Sequence, residues 1–424
     1  MRKTLKRRIL PAFLAAAALT ARGQNSIPKD HALAGRFPDK PSQPPSLSIP
    51  LDPLGFSAPG AIYLGSRNTL ASLDFLDENR LLFTFRVPSL LHRDLSNGED
   101  SDERRIRAVV LALPEGKIET QTTWTVHDRV RYLWPLNNGG FLLRDRKTLF
   151  EGKATLALKP LFDFPGPLLS VELDPAQQYL VVNTNEPATA KPSAAEPASN
   201  GDSAAPQEPD LLLRILRRAT GEVLLASRIR AAVHLPVNSS GYLENLRSRE
   251  QQWVLNLNYF SGGTKFLGTV ESQCMPDDNF LSDRLVLAIG CGAYGESRLA
   301  AVTTEGRTLW QTQSSAAKVW PQLTVARNGL RLAISTLDIS HNVNSLAPIG
   351  AEDVKEQSVA VFDAATGNAV LVSPLSPILD AGGNVALSPS GRRVALINAG
   401  AVQVFDLAAP PELPAGSSAT KPND

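Results

Sequence analysis

The chain has 424 residues, 43% of them apolar and only 20% charged, an ordinary globular balance with room for a large core. Its 32 prolines and 29 glycines are spread along the whole length, which fits many short strands joined by turns and excludes an architecture of long helices. Lys and Arg number 43 against 42 Asp and Glu, so no basic excess points to nucleic acid as a partner.

The N-terminus reads as a signal peptide over residues 1–23. Arg2, Lys3, Lys6, Arg7 and Arg8 form a basic region, residues 9–20 are apolar and too short to span a bilayer, and Ala21-Arg22-Gly23 offers a small-x-small cleavage site. The alternative, an amphipathic surface helix, fits less well because residues 9–20 are apolar on every side. Cleavage removes six basic and no acidic residues, leaving 37 against 42 and a formal charge of −5, an unfavourable balance for binding nucleic acid. No cysteine follows the cleavage site, which argues against a lipoprotein, and no later stretch approaches the roughly 20 apolar residues of a transmembrane helix. A periplasmic or extracellular location is expected.

Residues 24–60 form a proline-rich lead, including Pro41, Pro44, Pro45, Pro50, Pro53 and Pro59, expected as an extended tether or strap. Order is expected to begin with a short strand over residues 61–64. Residues 73–83 then read as strand, polar turn and strand, and residues 106–126 supply a second hairpin around Pro114-Glu115-Gly116. The turn glycine of that hairpin recurs as Glu115-Gly116, Glu151-Gly152, Thr220-Gly221, Gly262-Gly263, Glu305-Gly306 and Thr366-Gly367, at intervals of 36, 69, 42, 43 and 61 residues. Two intervals are stretched by insertions: residues 186–209, a Pro/Ala/Ser tract expected to be disordered, and residues 341–356. At the end of the chain Val361-Phe362-Asp363 returns as Val404-Phe405-Asp406, 43 residues later. A period in the low forties, built of short β-branched runs and turns, is that of a four-stranded propeller blade.

The expected fold is therefore all-β, a β-propeller of seven four-stranded blades over residues 61–410, followed by a disordered tail over residues 411–424. The last copy shows three strands and the N-terminal side has one to spare, so the N-terminal strand is expected to close the ring, which removes open sheet edges. The run Leu387-Ser388-Pro389-Ser390-Gly391-Arg392-Arg393-Val394 leading to Val404-Phe405-Asp406 resembles the blades of WD-repeat and YVTN-type propellers, without the Gly-His and Trp-Asp dipeptides of the WD repeat. Residues 302–310, ending in Leu309-Trp310, look like the corresponding strand of pyrroloquinoline-quinone-type propellers. The five tryptophans Trp124, Trp134, Trp253, Trp310 and Trp320 lack the regular spacing of that class, so core packing is their expected role and no cofactor is expected. The whole chain also resembles secreted propeller proteins of soil bacteria, which implies an envelope location.

Chemical motifs are sparse. Gly290-Cys291-Gly292-Ala293-Tyr294-Gly295 spells a G-x-G-x-x-G, but the nine residues before the next hairpin turn leave no room for the helix that a dinucleotide site needs, so it reads as an inter-strand loop. The histidines His31, His92, His127, His234 and His341 are scattered without metal-ligand spacing, no G-x-S-x-G elbow occurs, and the acidic run Glu99-Asp100-Ser101-Asp102-Glu103 reads as a solvated loop. No catalytic, cofactor-binding or metal-binding residue is singled out. The two cysteines, Cys274 and Cys291, are expected to form a disulfide in an oxidising compartment, with two buried thiols as the alternative. Two functions remain: an exported, monomeric scaffold that binds a protein or cell-envelope partner through its loop faces without catalysis, or a propeller enzyme, lactonase-like or another hydrolase, with a site at the central channel mouth.

Overall fold

The computed structural model describes residues 43–60, 63–88, 103–186, 210–292, 296–315, 317–340 and 349–413. Residues 1–42, which include the expected signal peptide and the first part of the lead, residues 187–209 of the inserted tract and residues 414–424 of the tail lie outside the described residues.

Strand β1 (Leu47–Pro50) precedes seven sheets formed in chain order. Blade 1 consists of β2 (Ala71–Phe75), β3 (Arg80–Arg86), β4 (Arg104–Ala112) and β5 (Lys117–Val126). Blade 2 consists of β6 (Leu133–Pro135), β7 (Phe141–Asp145), β8 (Thr148–Gly152) and β9 (Leu158–Asp163), and blade 3 of β10 (Leu168–Leu173), β11 (Tyr179–Glu186), β12 (Asp210–Arg217) and β13 (Val223–Ile229). Blade 4 has β14 (Gly241–Arg249), β15 (Gln252–Tyr259) and β16 (Thr264–Glu271), and blade 5 has β17 (Asp277–Ser282), β18 (Leu285–Cys291), β19 (Ser297–Thr303) and β20 (Thr308–Gln313). Blade 6 is β21 (Lys318–Val325), β22 (Arg331–Ile339), β23 (Val354–Asp363) and β24 (Ala369–Leu375); blade 7 is β25 (Val385–Leu387), β26 (Arg393–Asn398), β27 (Ala401–Asp406) and, on its outside, β1. All pairings are antiparallel, and the chain is a seven-bladed β-propeller.

The second strand of a blade is buried on both faces because a neighbouring blade covers each side. That is why β3, β11, β18, β22 and β26 read as nearly continuous apolar runs instead of alternating. The outer strand β5 is largely exposed, and its sequence is correspondingly polar. Each of the seven seams between blades holds a separate hydrophobic cluster; that between blades 7 and 1 joins Ile49, Val402 and Val404 to Phe83, Phe85 and Val109. Blade 4 is the least regular. Its innermost position is held by residues 233–237 through a single bridge, Val237 to Tyr242, and a hydrogen bond from Leu243 N to Pro236 O of 2.9 Å. Pro236 has no N–H to extend that ladder.

Four local expectations change. The strand that closes the ring is β1, inside the segment expected as a lead, whereas Tyr63 and Leu64 are not in a strand and residues 61–62 lie outside the described residues. Five of the turn glycines do sit between the third and fourth strands of blades with positive φ, but Gly152 is the last residue of β8, where a Cβ would stand 2.2 Å from the Phe141 ring. It is glycine for lack of space. Glu186, expected to open the inserted tract, is instead the buried end of β11 and pairs with Arg214 at 2.5 Å. The second insertion, expected over residues 341–356, is shorter at its far end, since β23 already begins at Val354 and residues 341–348 lie outside the described residues.

The repeated aspartates of the Val-Phe-Asp motif each face an arginine on the neighbouring strand, Asp363 with Arg331 at 2.6 Å and Asp406 with Arg393 at 2.9 Å. The motif thus records one cross-strand pair in two successive blades. Arg331 is 1% exposed and also donates to Gly391 O, which ties blade 6 to blade 7.

Candidate functional site: the central channel

The inner segments of all seven blades surround a channel whose cavity has a volume of about 560 Å³. Charged groups of both signs mark its wall. Asp74 and Glu172 occupy the penultimate positions of β2 and β10, and Asp174 follows β10; Arg131 stands two residues before β6 and Arg144 lies in β7; His234 lies in the irregular inner segment of blade 4; Arg327 stands two residues after β21. Blade 5 contributes Asn279 and blade 7 the neutral Asn384, while Asp277, at the start of β17, stands beside His234.

His234 bridges three blades. Its Nδ1 lies 2.8 Å from Glu172 Oε2 of blade 3, its Nε2 lies 2.6 Å from Asp278 O and 3.4 Å from Asp277 Oδ1 of blade 5. Burial by itself would lower the imidazolium, but the Glu172 hydrogen bond and the charges of Glu172 and Asp277 outweigh it and raise the pKa to about 9. The ring is cationic at neutral pH, donates from Nε2 to Asp278 O and pairs through Nδ1 with the Glu172 carboxylate. Next to it, burial raises Asp278 to about 7 against the opposing hydrogen bond from Asn245 Nδ2 at 2.5 Å. Burial also raises Asp277, against the His234 charge.

On the other side of the channel, burial raises Asp74, opposed by Arg131, by the Ser72 hydroxyl that donates to it at 2.5 Å, and by Arg327. Burial lowers Arg131 and Arg327, and the carboxylates around each resist that shift, Asp74 and Glu172 for Arg131 and Asp74 first for Arg327. The Arg131 guanidinium stands 5.5 Å from the Trp134 ring centroid, its Nε donating to Leu133 O at 3.2 Å. Arg327 extends past the inner edge of blade 7 and donates to Phe75 O and Leu76 O of blade 1. It spans the channel end where the first two strands of each blade turn.

The other end carries exposed apolar side chains. Val130 and Met275 precede the inner segments of blades 2 and 5, Val233 opens that of blade 4, and Leu169 is the second residue of β10 in blade 3; their exposures are 47%, 63%, 40% and 38%. Exposed apolar side chains near the starts of the inner segments of four consecutive blades differ from single apolar residues scattered over a surface.

Of the histidines and tryptophans singled out in the sequence, His234 and Trp134 line the channel. The structure joins Cys274 to Cys291, with Cα atoms 5.7 Å apart, linking the exit of blade 4 to β18 of blade 5. His127 hydrogen-bonds Asp145 at 3.0 Å and approaches Glu103 at 3.9 Å, while His31, His92, His341 and residues 99–102 lie outside the described residues. In the glycine-rich stretch, Gly290 ends inside β18 against Ser272, and residues 293–295 lie outside the described residues. Trp310 is buried and donates to Ala364 O at 2.8 Å, and Trp124 and Trp134 are buried too, whereas Trp253 and Trp320 are half-buried, Trp320 beneath Arg67 at 4.8 Å. The channel charges escaped the sequence reading because they belong to different blades. The available signal was an acidic residue inside an otherwise apolar inner strand, as in Leu73-Asp74-Phe75.

No family model matches the sequence, and no curated protein matches it. Among solved structures, the chain is similar to the acylaminoacyl peptidase of Pyrococcus horikoshii at 8% identity and a TM-score of 0.48, covering 81% of this chain and 52% of the peptidase. The chain therefore spans about half the length of that relative. It is also similar to Sqt1 from Chaetomium thermophilum, at 11% identity, TM-score 0.44, 81% of this chain and 97% of the other. The C-terminal WD40 domain of Sif2 matches at 10% identity, TM-score 0.39, with 81% and 97% covered. Similarity this remote assigns no activity.

Proposed function

We propose that the protein is an exported, non-catalytic β-propeller that binds a protein or cell-envelope partner through the face on which the apolar residues of blades 2 to 5 border the channel. The observation that carries this reading is the state of His234. A hydrolase working at the channel mouth needs a histidine or carboxylate free to take a proton, with a nucleophile or water in reach. The one histidine in the channel is held cationic with both nitrogens engaged by Glu172 and Asp278. Its two flanking carboxylates, Glu172 and Asp277, are spent on that cation. Export is supported by the basic-then-apolar N-terminal sequence and by the Cys274–Cys291 bridge. Among the described residues no helix is long and apolar enough to cross a membrane.

The test is a turnover assay of the full chain and its His234→Ala variant on carboxylic esters, lactones, phosphomonoesters and glycosides. The expected result is no turnover above background by either protein. An activity that falls a hundredfold or more in the variant would overturn the reading in favour of the propeller hydrolase.

A further inference from the structure

We infer that the channel is a binding site for a neutral saccharide, an inference that rests on the binding reading above and names its ligand class. The mixture of charge is the first reason. The acidic Asp74, Glu172 and Asp174 are interspersed with the basic Arg131, Arg144, His234 and Arg327 around the cavity, so neither sign of a free ion is selected. A hydroxyl both donates and accepts, and can donate to Asp74 while accepting from Arg131. Arg131 is exposed to the channel, and among the described residues its terminal nitrogens make no hydrogen bond. Adjacent hydroxyls on a sugar ring match adjacent donors and acceptors of opposite sign.

Unfilled acceptors are the second reason. Asn384, fully buried on the channel wall, donates through Nδ2 to Gln357 Oε1 at 2.7 Å, but its Oδ1 has no hydrogen-bond partner in the protein. Asp174 Oδ2, on a residue 1% exposed at the same cavity, has none either. Buried acceptors of this kind call for a donor, and a polyol is rich in donors. Size and the apolar side chains agree. A cavity of about 560 Å³ falls within the range of small-ligand sites, roughly 300–1,000 Å³. The apolar side chains of Val130, Leu169, Val233 and Met275 suit the C–H surface of further sugar units leaving the channel.

The full chain would be screened on an array of neutral, acidic and amino-bearing glycans, with the best binder followed by calorimetry and thermal melting. Neutral glycans are expected to bind in preference to their charged counterparts, and a saturating neutral ligand should raise the Tm by roughly 3 °C. Arg131→Gln and Leu169→Glu should each weaken that ligand at least tenfold while the melting of the unliganded protein stays unchanged. Binding confined to charged glycans, no binding to any neutral glycan, or unaltered affinity in both variants would overturn the inference. Hydrolysis of a bound neutral glycan that disappears in His234→Ala would overturn the non-catalytic reading while leaving the ligand class in place.

Discussion

His234 gives the protein a pH dependence of definite sign. Its folded pKa, about 9, stands above the ordinary 6.5, so the stability it contributes is complete below pH 6.5 and is lost as pH rises through 9. Asp278 acts in the same direction at lower pH. Its folded pKa of about 7 stands above the ordinary 3.8, so its neutral form is favoured by the fold and the associated stability fades as pH rises from 3.8 through 7. The Tm is therefore expected to fall steadily from mildly acidic to alkaline pH. Thermal melts from pH 5 to pH 10 should show the alkaline part of that decline flattened in His234→Gln and the part near neutrality flattened in Asp278→Asn. Parallel curves for wild type and His234→Gln would show that the histidine titrates alike in folded and unfolded chains.

At the level of elements, the blade is a hairpin repeat whose interior tolerates little and whose connections tolerate much. Strands β11 and β12 pair from Tyr179 with Arg217 out to Glu186 with Asp210, so the two residues that flank positions 187–209 are direct cross-strand partners. Such partners can be joined by a two-residue turn. Replacing residues 187–209 by Asn-Gly should leave the Tm within about 2 °C of wild type, since loop-closure entropy changes slowly with length and the tract holds no large apolar residue to bury. A drop beyond about 5 °C, well outside what loop length explains, would mean that the tract packs on blade 3. The replacement must keep Glu186, whose carboxylate receives Arg214 Nη1 and Nη2 and the Thr184 hydroxyl.

At the scale of the whole molecule, the ring is closed by β1 on β27 and pinned between blades 4 and 5 by the disulfide. Leu47 to Pro50 pairs with Val404 to Ala401, and Ile49 packs between blades 7 and 1, so the two ends of the described chain hold the same sheet. The bridge acts where the ring is least regular. Cys274 leaves blade 4, whose inner segment keeps a single bridge, and Cys291 fixes it to β18 at 17 residues' separation. Closing a loop of this length is worth about 3 kcal/mol through the unfolded state. Cys274→Ser with Cys291→Ser should lose about that much in denaturant unfolding, and the unreduced, unfolded wild type should take up no alkylating reagent. Alkylation of both cysteines without reduction would show two free thiols.

What the sequence determined by itself was the repeat: the four-stranded blade, the positive-φ turns at Gly221, Gly306 and Gly367, and the pairing of the two cysteines in proposal. These are legible because each depends on residues close in sequence, with a period of about forty that repeats the same local turn and alternation. Closure by an N-terminal strand was expected only from the strand missing in the last copy, since it pairs residues at opposite ends of the chain. The identity of the closing strand was not legible, because a four-residue edge strand carries almost no pattern and Leu47 to Pro50 lies among prolines. The channel was decided only by the tertiary structure. Asp74, Arg131, Glu172, His234 and Arg327 are spread over some 250 residues of sequence and become neighbours only when five blades turn their inner segments to one axis. Whether such a group is a surface charge or a member of a channel wall of mixed charge depends on burial and on charges contributed by other blades, and neither quantity exists until the ring is closed.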